Sequence, residues 1–233
     1  MKPFLSLVVT ISILLFANLL QAEPVSAVLN ERINAAIEKN ASYDKQLTSL
    51  DAYGTPLVIK LARQGNTKLL TQLAQNAGNG DFLNAKDKYG NNLFHVAKNA
   101  DTVQVVASLV RRFYGANTTQ QITRMVDQRN LLSETPLLAQ INAGHADTFR
   151  PLYSLSTLKT TNDMFKNQLS RLKGSGPSLV AEHKAMYCQK IRDLASANGR
   201  TLLQAAQDQV PYHPEMASLA QRLERIIPCL AEN

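Results

Sequence analysis

The sequence contains few side chains of the kinds that act as nucleophiles or metal ligands: four histidines and two cysteines. His183 and Cys188 are the one histidine–cysteine pair close together in the chain. On a helix, a separation of five residues turns two side chains about 140° apart, so they would not share a zinc ion or form a catalytic pair. His95, His145 and His213 have no second candidate ligand at a suitable spacing nearby.

Motifs of the common enzyme classes are also absent. Gly174-Ser175-Gly176 is the one compact glycine-rich loop, but it follows no predicted strand and lacks the Lys-Ser/Thr of a phosphate-binding loop. The sequence has no Gly-x-Ser-x-Gly, no His-Glu-x-x-His and no paired-carboxylate motif. We therefore expect a protein that is not an enzyme and that binds no cofactor or metal.

The first residues are typical of a secretory signal peptide. Lys2 precedes an apolar run, Phe4–Leu20, and the small residue Ala22 closes a cleavage site. A second site at Ala27 competes with it. The rival interpretation is a membrane anchor, but 17 residues with several polar side chains fall short of a full span. Cleavage of residues 1–22 predicts a periplasmic or secreted protein with no stable membrane insertion.

Composition favours a helical protein with a lightly basic surface. Hydrophobic residues make up 45% of the 233 residues, aromatic residues make up only 6%, and tryptophan is absent. This composition is typical of a helical protein rather than of a β-sandwich. The net charge is +7, yet Arg111-Arg112 is the one basic cluster. A nucleic-acid footprint would need a broader basic stripe, so no nucleic-acid partner is expected. A solvated surface and weak attraction to anionic partners both remain open.

One pattern occurs four times along the chain, a turn followed by a short apolar helix. Its clearest copy, Asp87–Ala97, contains Gly90 and His95 and leads into the apolar segment Val103–Val110. The other copies are Asp51-Ala52-Tyr53-Gly54-Thr55-Pro56-Leu57, Thr135-Pro136-Leu137-Leu138 and Asn198-Gly199-Arg200-Thr201-Leu202-Leu203-Gln204-Ala205-Ala206. These stretches resemble the ankyrin repeat, a β-turn plus two antiparallel helices that opens with a T-P-L-H-x-A-like sequence.

The resemblance implies an all-α ankyrin-repeat solenoid of stacked helix pairs with β-turn connections. Residues 23–50 would form an N-terminal capping helix and a connector, with the amphipathic helix over Val25–Lys39 and the connector over Asn40–Leu50. The array would fill residues 51–233. Its units would be 51–83, 84–125, 126–160, a cryptic helix pair at 161–196, and 197–233.

The spacing of the turns predicts where this array departs from its period of about 33 residues. Gly54 and Gly90 lie 36 apart, and the equivalent Ser133 follows after 43, so longer loops are expected around Asn76–Asp81 and Tyr114–Thr119. From Ser133 to Gly199 is 66 residues, or two periods. A degenerate unit would therefore fit between them, with helices at about Asn162–Leu172 and Ser178–Ser196.

Single positions also differ from the ankyrin pattern. Asn92-Leu93 replaces the usual Thr-Pro, and Gln140 stands where a small alanine normally packs. His95 and His145 occupy family positions at which the imidazole ties adjacent turns together, so the resemblance implies structural roles for both.

Cys188 and Cys229 are predicted to form a disulfide. An even cysteine count in an exported protein favours a bridge, and two buried thiols are the alternative. The resemblance places the two residues in adjacent units that would stack side by side. A bridge there would fasten the end of the array that matches the repeat pattern least.

The resemblance implies a monomeric, non-catalytic scaffold that binds a protein partner through the concave ankyrin surface. Turn tips and inner helices supply the candidate contacts, with Lys60 expected on the exposed rim. The alternatives are a periplasmic stress-protective accessory protein that supports another enzyme, and a secreted effector that acts on a host protein. The predicted partner-binding residues are Tyr53, Lys60, Arg63, Lys88, Tyr89, Asn91, Arg129, Asn130, Glu134, Asn142, Arg200 and Asp208.

Overall fold

The computed structural model describes residues 43–172 and 174–230. The predicted signal peptide, residues 1–22, and the predicted cap helix Val25–Lys39 lie outside these residues. The described part of the chain is mostly helical, which confirms the predicted fold class at that level. Within the described ranges, no helix has the length and apolar character needed to cross a membrane.

The helices are labelled in chain order. We call residues 43–155 and 195–230 the main body. The two helices within residues 157–194 are called the hairpin. Short 3-10 turns lie at Asp81–Asn84, Gly115–Asn117, Ala146–Thr148 and Pro228–Leu230. The helices are α1 (Tyr43–Thr48), α2 (Leu57–Gln64), α3 (Thr67–Gln75), α4 (Ala100–Tyr114), α5 (Thr118–Asp127), α6 (Pro136–Asn142), α7 (Phe149–Leu155), α8 (Thr157–Arg171), α9 (Pro177–Leu194), α10 (Leu202–Gln209) and α11 (Met216–Ile226).

Helices α2 and α3 form the helix pair predicted for the first unit. Helix α2 ends at Gly65, whose φ of 70° is the left-handed conformation that glycine adopts without steric cost. Asn66 then caps α3, because its side-chain oxygen accepts a hydrogen bond from the Leu69 amide at 3.1 Å. The apolar faces of both helices are buried in the core of the main body.

The second unit lacks the inner helix predicted after Asp87, so that expectation is wrong. Residues 93–95 form a turn instead, followed by a bend at Val96. The side-chain oxygen of Asn92 accepts hydrogen bonds from the amides of Phe94 and His95, and its Nδ2 donates to the Met125 carbonyl. The Lys98 amide bonds to Ala62 of α2. Since the Asn92 side chain and the Ala62 carbonyl occupy these backbone amides, no helical ladder develops.

The long spacing between the second and third turns also has a different cause from the one expected. Around Tyr114–Thr119 the chain does not simply loop, because a 3-10 turn leads directly into α5. This helix buries Ile122, Met125 and Val126 against the core. An additional helix, rather than a longer loop, therefore separates Gly90 from Ser133.

The third unit follows the prediction closely. The Thr135 hydroxyl caps α6, and Pro136 occupies the first helical position, where its missing N–H is not needed. Gly144 takes a φ of 76° in the turn between α6 and α7. Ser133, predicted to replace the turn glycine, has a φ of 61° and so adopts the same left-handed conformation.

The two helices predicted between residues 154 and 196 are present as α8 and α9, but they are not stacked between the third and last units. Helix α10 packs directly on α6. The side chain of Asn198 also donates to the Leu132 carbonyl at 3.1 Å, which joins the third and last turns. The 66-residue spacing therefore reflects a hairpin inserted beside the main body rather than one more unit within it.

The predicted disulfide is confirmed. Cys188 on α9 and Cys229 in the last 3-10 turn are bonded, with their Cα atoms 5.0 Å apart. The bridge therefore joins the hairpin to the C-terminal end of the main body. The two residues meet because α9 contacts the turn that follows α11.

Candidate interaction surface

Three turn loops repeat one hydrogen-bond pattern, and each is centred on an Asp or Asn side chain. The Oδ1 atom accepts from the backbone amides two and four residues later, at distances of 2.9 to 3.0 Å. The residue three positions later donates its amide to the backbone carbonyl of the central residue. The central residues are Asp51, Asp87 and Asn130.

Hydrogen bonds also connect the loops to one another. Arg63 donates to Asp87 at 2.7 Å, and Asn130 Nδ2 donates to Asn91 Oδ1 at 2.9 Å. The Leu131 amide donates to the Tyr89 carbonyl at 2.9 Å. The second and third loops are thereby held in a defined register, and Arg63 ties helix α2 to the second loop.

The same network continues into the last unit. Asn142 Nδ2 donates to Glu134 Oε1 at 2.6 Å, while Arg200 Nη1 donates to Asn142 Oδ1 at 3.3 Å. Arg200 in turn pairs with Asp208 at 2.6 Å. We call this connected set the polar ladder, and it consists of Arg63, Asp87, Asn91, Asn130, Glu134, Asn142, Arg200 and Asp208.

Lys60 does not lie on an exposed rim, contrary to the expectation from the sequence. Its ammonium group pairs with Asp51 at 3.1 Å, and the two side chains are only 12% and 6% exposed. Burial by itself raises the pKa of Asp51, but its backbone hydrogen bonds from Thr55 and Tyr53 and its pairing with Lys60 outweigh burial and lower that pKa. Lys60 therefore stabilises the first loop.

Arg129 acts as a brace between the third loop and the hairpin. Its guanidinium group donates to the backbone carbonyls of Ser133, Ser196 and Asp193 at 2.6 to 3.0 Å. These carbonyls lie in the third loop, in β1 (Ser196–Ala197) and at the end of α9. β1 pairs with β2 (Arg200–Thr201) around Asn198 and Gly199, the two turn residues, which both have positive φ.

The predicted residues that do face solvent are the loop tips. Tyr53 is 59% exposed and Tyr89 is 53% exposed, and the Lys88 ammonium group lies 5.1 Å from the centre of the Tyr89 ring. Next to them are two apolar residues that the sequence analysis missed, Leu131 at 76% and Leu132 at 58% exposure. The sequence could have revealed Leu132, because it lies two residues after Asn130, as Tyr53 and Tyr89 lie two residues after Asp51 and Asp87.

His95 is a structural residue in this arrangement. Its Nδ1 lies 2.9 Å from Asn92 Oδ1, and its Nε2 lies 3.0 Å from the Glu134 carbonyl in the next loop. Burial disfavours the charged imidazole and lowers the pKa of His95 to about 4, although the Glu134 carbonyl opposes the shift. His95 is therefore neutral at pH 7 and ties two loops together.

Gln140, where a small residue was expected, is a buried connector. Its Nε2 donates to the His95 carbonyl at 2.7 Å, and its Oε1 lies 2.7 Å from His145 Nδ1. Burial, together with the nearby charge of Lys98, lowers the pKa of His145. The amide thus links two units by hydrogen bonds instead of by close packing.

A groove of about 710 Å³ separates α9 from α10 and the end of α11. Its lining includes Lys184, Arg192, Gln204, Glu224 and the disulfide-bonded Cys188. The sulfur of Cys188 is held in the bridge and so offers no nucleophile. Among the residues that the structure describes, no cluster of His, Cys, Asp or Glu could hold a metal ion.

Comparison with known proteins gives no assignment: no protein-family model matches the chain, and no similar curated protein is found.

Proposed function

We propose that this chain is an ankyrin-type repeat protein that acts outside the cytoplasm as a non-catalytic scaffold and binds a protein partner through its loop tips. The observation that carries the proposal is the contrast within the three matched loops. The side chains of the central residues Asp51, Asp87 and Asn130 are used in internal hydrogen bonds, whereas bulky apolar side chains are held out in solvent. Large apolar side chains on rigid loops are favourable anchors for a protein interface.

The ankyrin affiliation is supported by the repeated loops and by the helix pairs α2–α3 and α6–α7, each joined by a turn that contains a positive-φ glycine. It rests on these residues and their geometry. The location outside the cytoplasm is supported by the disulfide, since such bonds persist mainly in oxidising compartments.

Fewer residues are proposed to contact the partner than the sequence predicted. The polar ladder serves the protein's own structure, and Lys60 and Arg129 are engaged as well. Binding energy would then come chiefly from Tyr53, Tyr89 and Leu132, which occupy equivalent positions in the three loops. The protein is proposed to act as a monomer.

Two more specific roles use the same surface. The scaffold would serve as a periplasmic stress-protective accessory protein if its partner is an enzyme of the same cell, and as a secreted effector if its partner belongs to a host. Identification of the cross-linked partner in the following experiment separates them.

The test is site-specific photo-cross-linking of the exported protein, with a photo-reactive amino acid at Tyr89 or Leu132. A matched control places it at Gln104, an exposed position on α4. We expect one discrete adduct from the two loop positions and none from position 104. Equal labelling from all three positions, or no adduct from either loop position, would contradict the proposal.

Purified partner allows a quantitative version of the same test. Tyr89→Ala should weaken binding by about tenfold to a hundredfold without lowering the melting temperature, because the ring is largely exposed. Gln104→Ala provides the control for an exposed substitution. Unchanged affinity in Tyr89→Ala would exclude the loop tip as an anchor.

A further inference from the structure

We infer that the partner presents an acidic protein segment with apolar side chains between its carboxylates, an inference that rests on the proposed function and adds the partner's chemistry. Each of the three matched loops has three outward positions. Relative to each central residue, these are the position before it and the two positions after it. The nine residues are Leu50, Ala52, Tyr53, Lys86, Lys88, Tyr89, Arg129, Leu131 and Leu132, and all are exposed.

We call these nine residues the tip surface. Six are apolar or aromatic, three are cationic and none is acidic. Of the three cations, Arg129 donates to backbone carbonyls of its own chain, so Lys86 and Lys88 supply the charge open to a partner. The first loop supplies only apolar and aromatic groups, whereas the second supplies both lysines, with Lys88 against the ring of Tyr89. The third loop supplies Arg129 and two leucines. A partner that covers the tip surface must supply apolar contacts and negative charge in close succession.

The acidic residues of the same loops are withdrawn from the tip surface. Asp51 and Asp87 have side chains only 6% and 2% exposed, and each is paired with a cation of the protein. Glu134 accepts hydrogen bonds from Asn142 and Asn130. The loops therefore present an outward charge of one sign, which attracts acidic partners and repels basic ones.

Two other anionic classes fit the tip surface less well. Nucleic acids are bound mainly through many phosphate contacts. The tip surface has three cations among nine residues, so it can make few contacts of this kind. A lipid surface needs no fixed register, whereas hydrogen bonds between neighbouring loops hold these side chains at set positions. A protein segment that carries acidic residues close to apolar ones matches the composition of the tip surface.

The experiment uses fluorescence anisotropy to measure how tightly a dye-labelled peptide binds to the mature chain. In this peptide, glutamate alternates with leucine and tyrosine. A peptide with lysine in place of every glutamate is the charge control. The variant Lys86→Glu/Lys88→Glu reverses the charge of the tip surface. Lys166→Glu/Lys190→Glu makes the same change in net charge at exposed positions of the hairpin.

We expect the acidic peptide to bind and the basic peptide not to bind. The tip reversal should weaken binding by tenfold or more, and the hairpin reversal by less than twofold, with both effects shrinking as salt is added. Lys86→Gln/Lys88→Gln should give an intermediate loss, and equal melting temperatures for all variants would exclude unfolding as the cause.

Equal binding of the acidic and basic peptides, or equal losses in the two reversals, would overturn the inference. So would a lack of peptide binding combined with lysine-dependent binding to phosphatidylserine vesicles or to a DNA oligonucleotide. If photo-cross-linking at Tyr89 succeeds while the tip reversal has no effect on it, only the acidic partner is refuted. If cross-linking also fails, the proposed function fails with it.

Discussion

The main body and the hairpin contain helices of similar length that are buried to very different extents. Helices α4 and α8 both have 15 residues, yet α4 buries six of them, mostly apolar, while α8 buries four, two of them polar. Helix α9 is longer, with 18 residues, and buries only Cys188 and Ile191. Burial of apolar surface is the main stabilising contribution to folding, so the two regions must be stabilised differently.

This difference in burial indicates which interactions keep each region folded. Units of the main body stabilise one another through shared cores and through the polar ladder, so local damage should spread. The hairpin is held at its base by the disulfide, by Arg129, and by Asn162, which donates to Tyr153 and to the Ile226 carbonyl. Four of the five predictions below compare the two regions and one tests the main body alone, from the largest expected effect to the smallest.

Leu137→Asp in α6 should lower the free energy of unfolding by about 4 kcal/mol or more, because it places a carboxylate in a site that is 3% exposed. Leu179→Asp in α9 is the matched change at a 42% exposed position and should cost no more than about 0.5 kcal/mol. Urea denaturation followed by circular dichroism measures both. Similar losses would show that the hairpin is as tightly integrated as the main body.

Reduction of the disulfide should destabilise the C-terminal region. The two cysteines are 41 residues apart in the sequence, and for a loop of this length the loop-entropy model gives a loss on the order of 4 kcal/mol. Hydrogen exchange should show loss of protection in α8, α9 and α11 first, with α2 and α3 protected longest. Cys188→Ser/Cys229→Ser is the control, since reductant should not change it further. Simultaneous loss of protection throughout the chain would contradict a separately anchored hairpin.

Acid should weaken the main body through His95. Its pKa is about 4 in the folded protein and near 6.5 when unfolded, so the unfolded state binds the extra proton between these values. The contribution to stability is complete above about pH 6.5 and is lost as pH falls towards 4, by about 3 kcal/mol at most. Unfolding measured from pH 7 to 4.5 should show this slope, and His95→Gln should flatten it. An unchanged slope in the variant would assign the effect to other groups.

Gly144→Ala should destabilise the protein by about 2 kcal/mol, because alanine is strained at a φ of 76° and its Cβ would collide with the His213 ring. Gly176→Ala at the start of α9 is the comparison. Gly176 has a φ of −60° and no atom lies near its added Cβ, so the cost should stay within about 0.5 kcal/mol. Thermal melts of the two variants should differ clearly, and equal shifts would argue against the close contact of His213.

Lys60→Ala should cost about 1 to 2 kcal/mol, because it leaves the buried Asp51 carboxylate without its cation. Lys159→Ala removes the comparable pair with Asp163 on α8, where both partners are more than 40% exposed. Exposed pairs of this spacing contribute only about 0.3 to 0.5 kcal/mol. Chemical denaturation distinguishes the two values, and a neutral Lys60→Ala would mean that the pair is not formed in solution.

Features that depend on neighbouring residues in the sequence were predicted well. The turn glycines and Ser133 were identified as equivalent positions, and all of them adopt positive φ. The α2–α3 and α6–α7 pairs and both helices of the hairpin were also expected. The disulfide was expected for a different reason, because the sequence contains only two cysteines and begins with a signal-like segment. Side-chain caps, positive-φ residues and apolar periodicity act over a few residues, which is why they are visible in sequence.

The candidate site was predicted only in part. Tyr53, Lys88 and Tyr89 are exposed as expected, whereas most of the polar candidates are engaged with one another. Leu131 and Leu132 were overlooked because leucine is usually a core residue, and their exposure follows from the loop centred on Asn130. Which polar groups meet across units depends on the register between loops, and spacing along the chain does not specify that register.

The sequence by itself therefore determined the helical character of the chain, the positions of its turns and the pairing of its two cysteines. The tertiary structure alone decided that residues 93–95 form a turn, that α10 packs on α6, and that the hairpin lies beside the main body. The physical reason is common to all three. Each depends on contacts between residues far apart in the chain, such as Asn92 with Met125 and Asn198 with Leu132, and these long-range contacts override or redirect local preference.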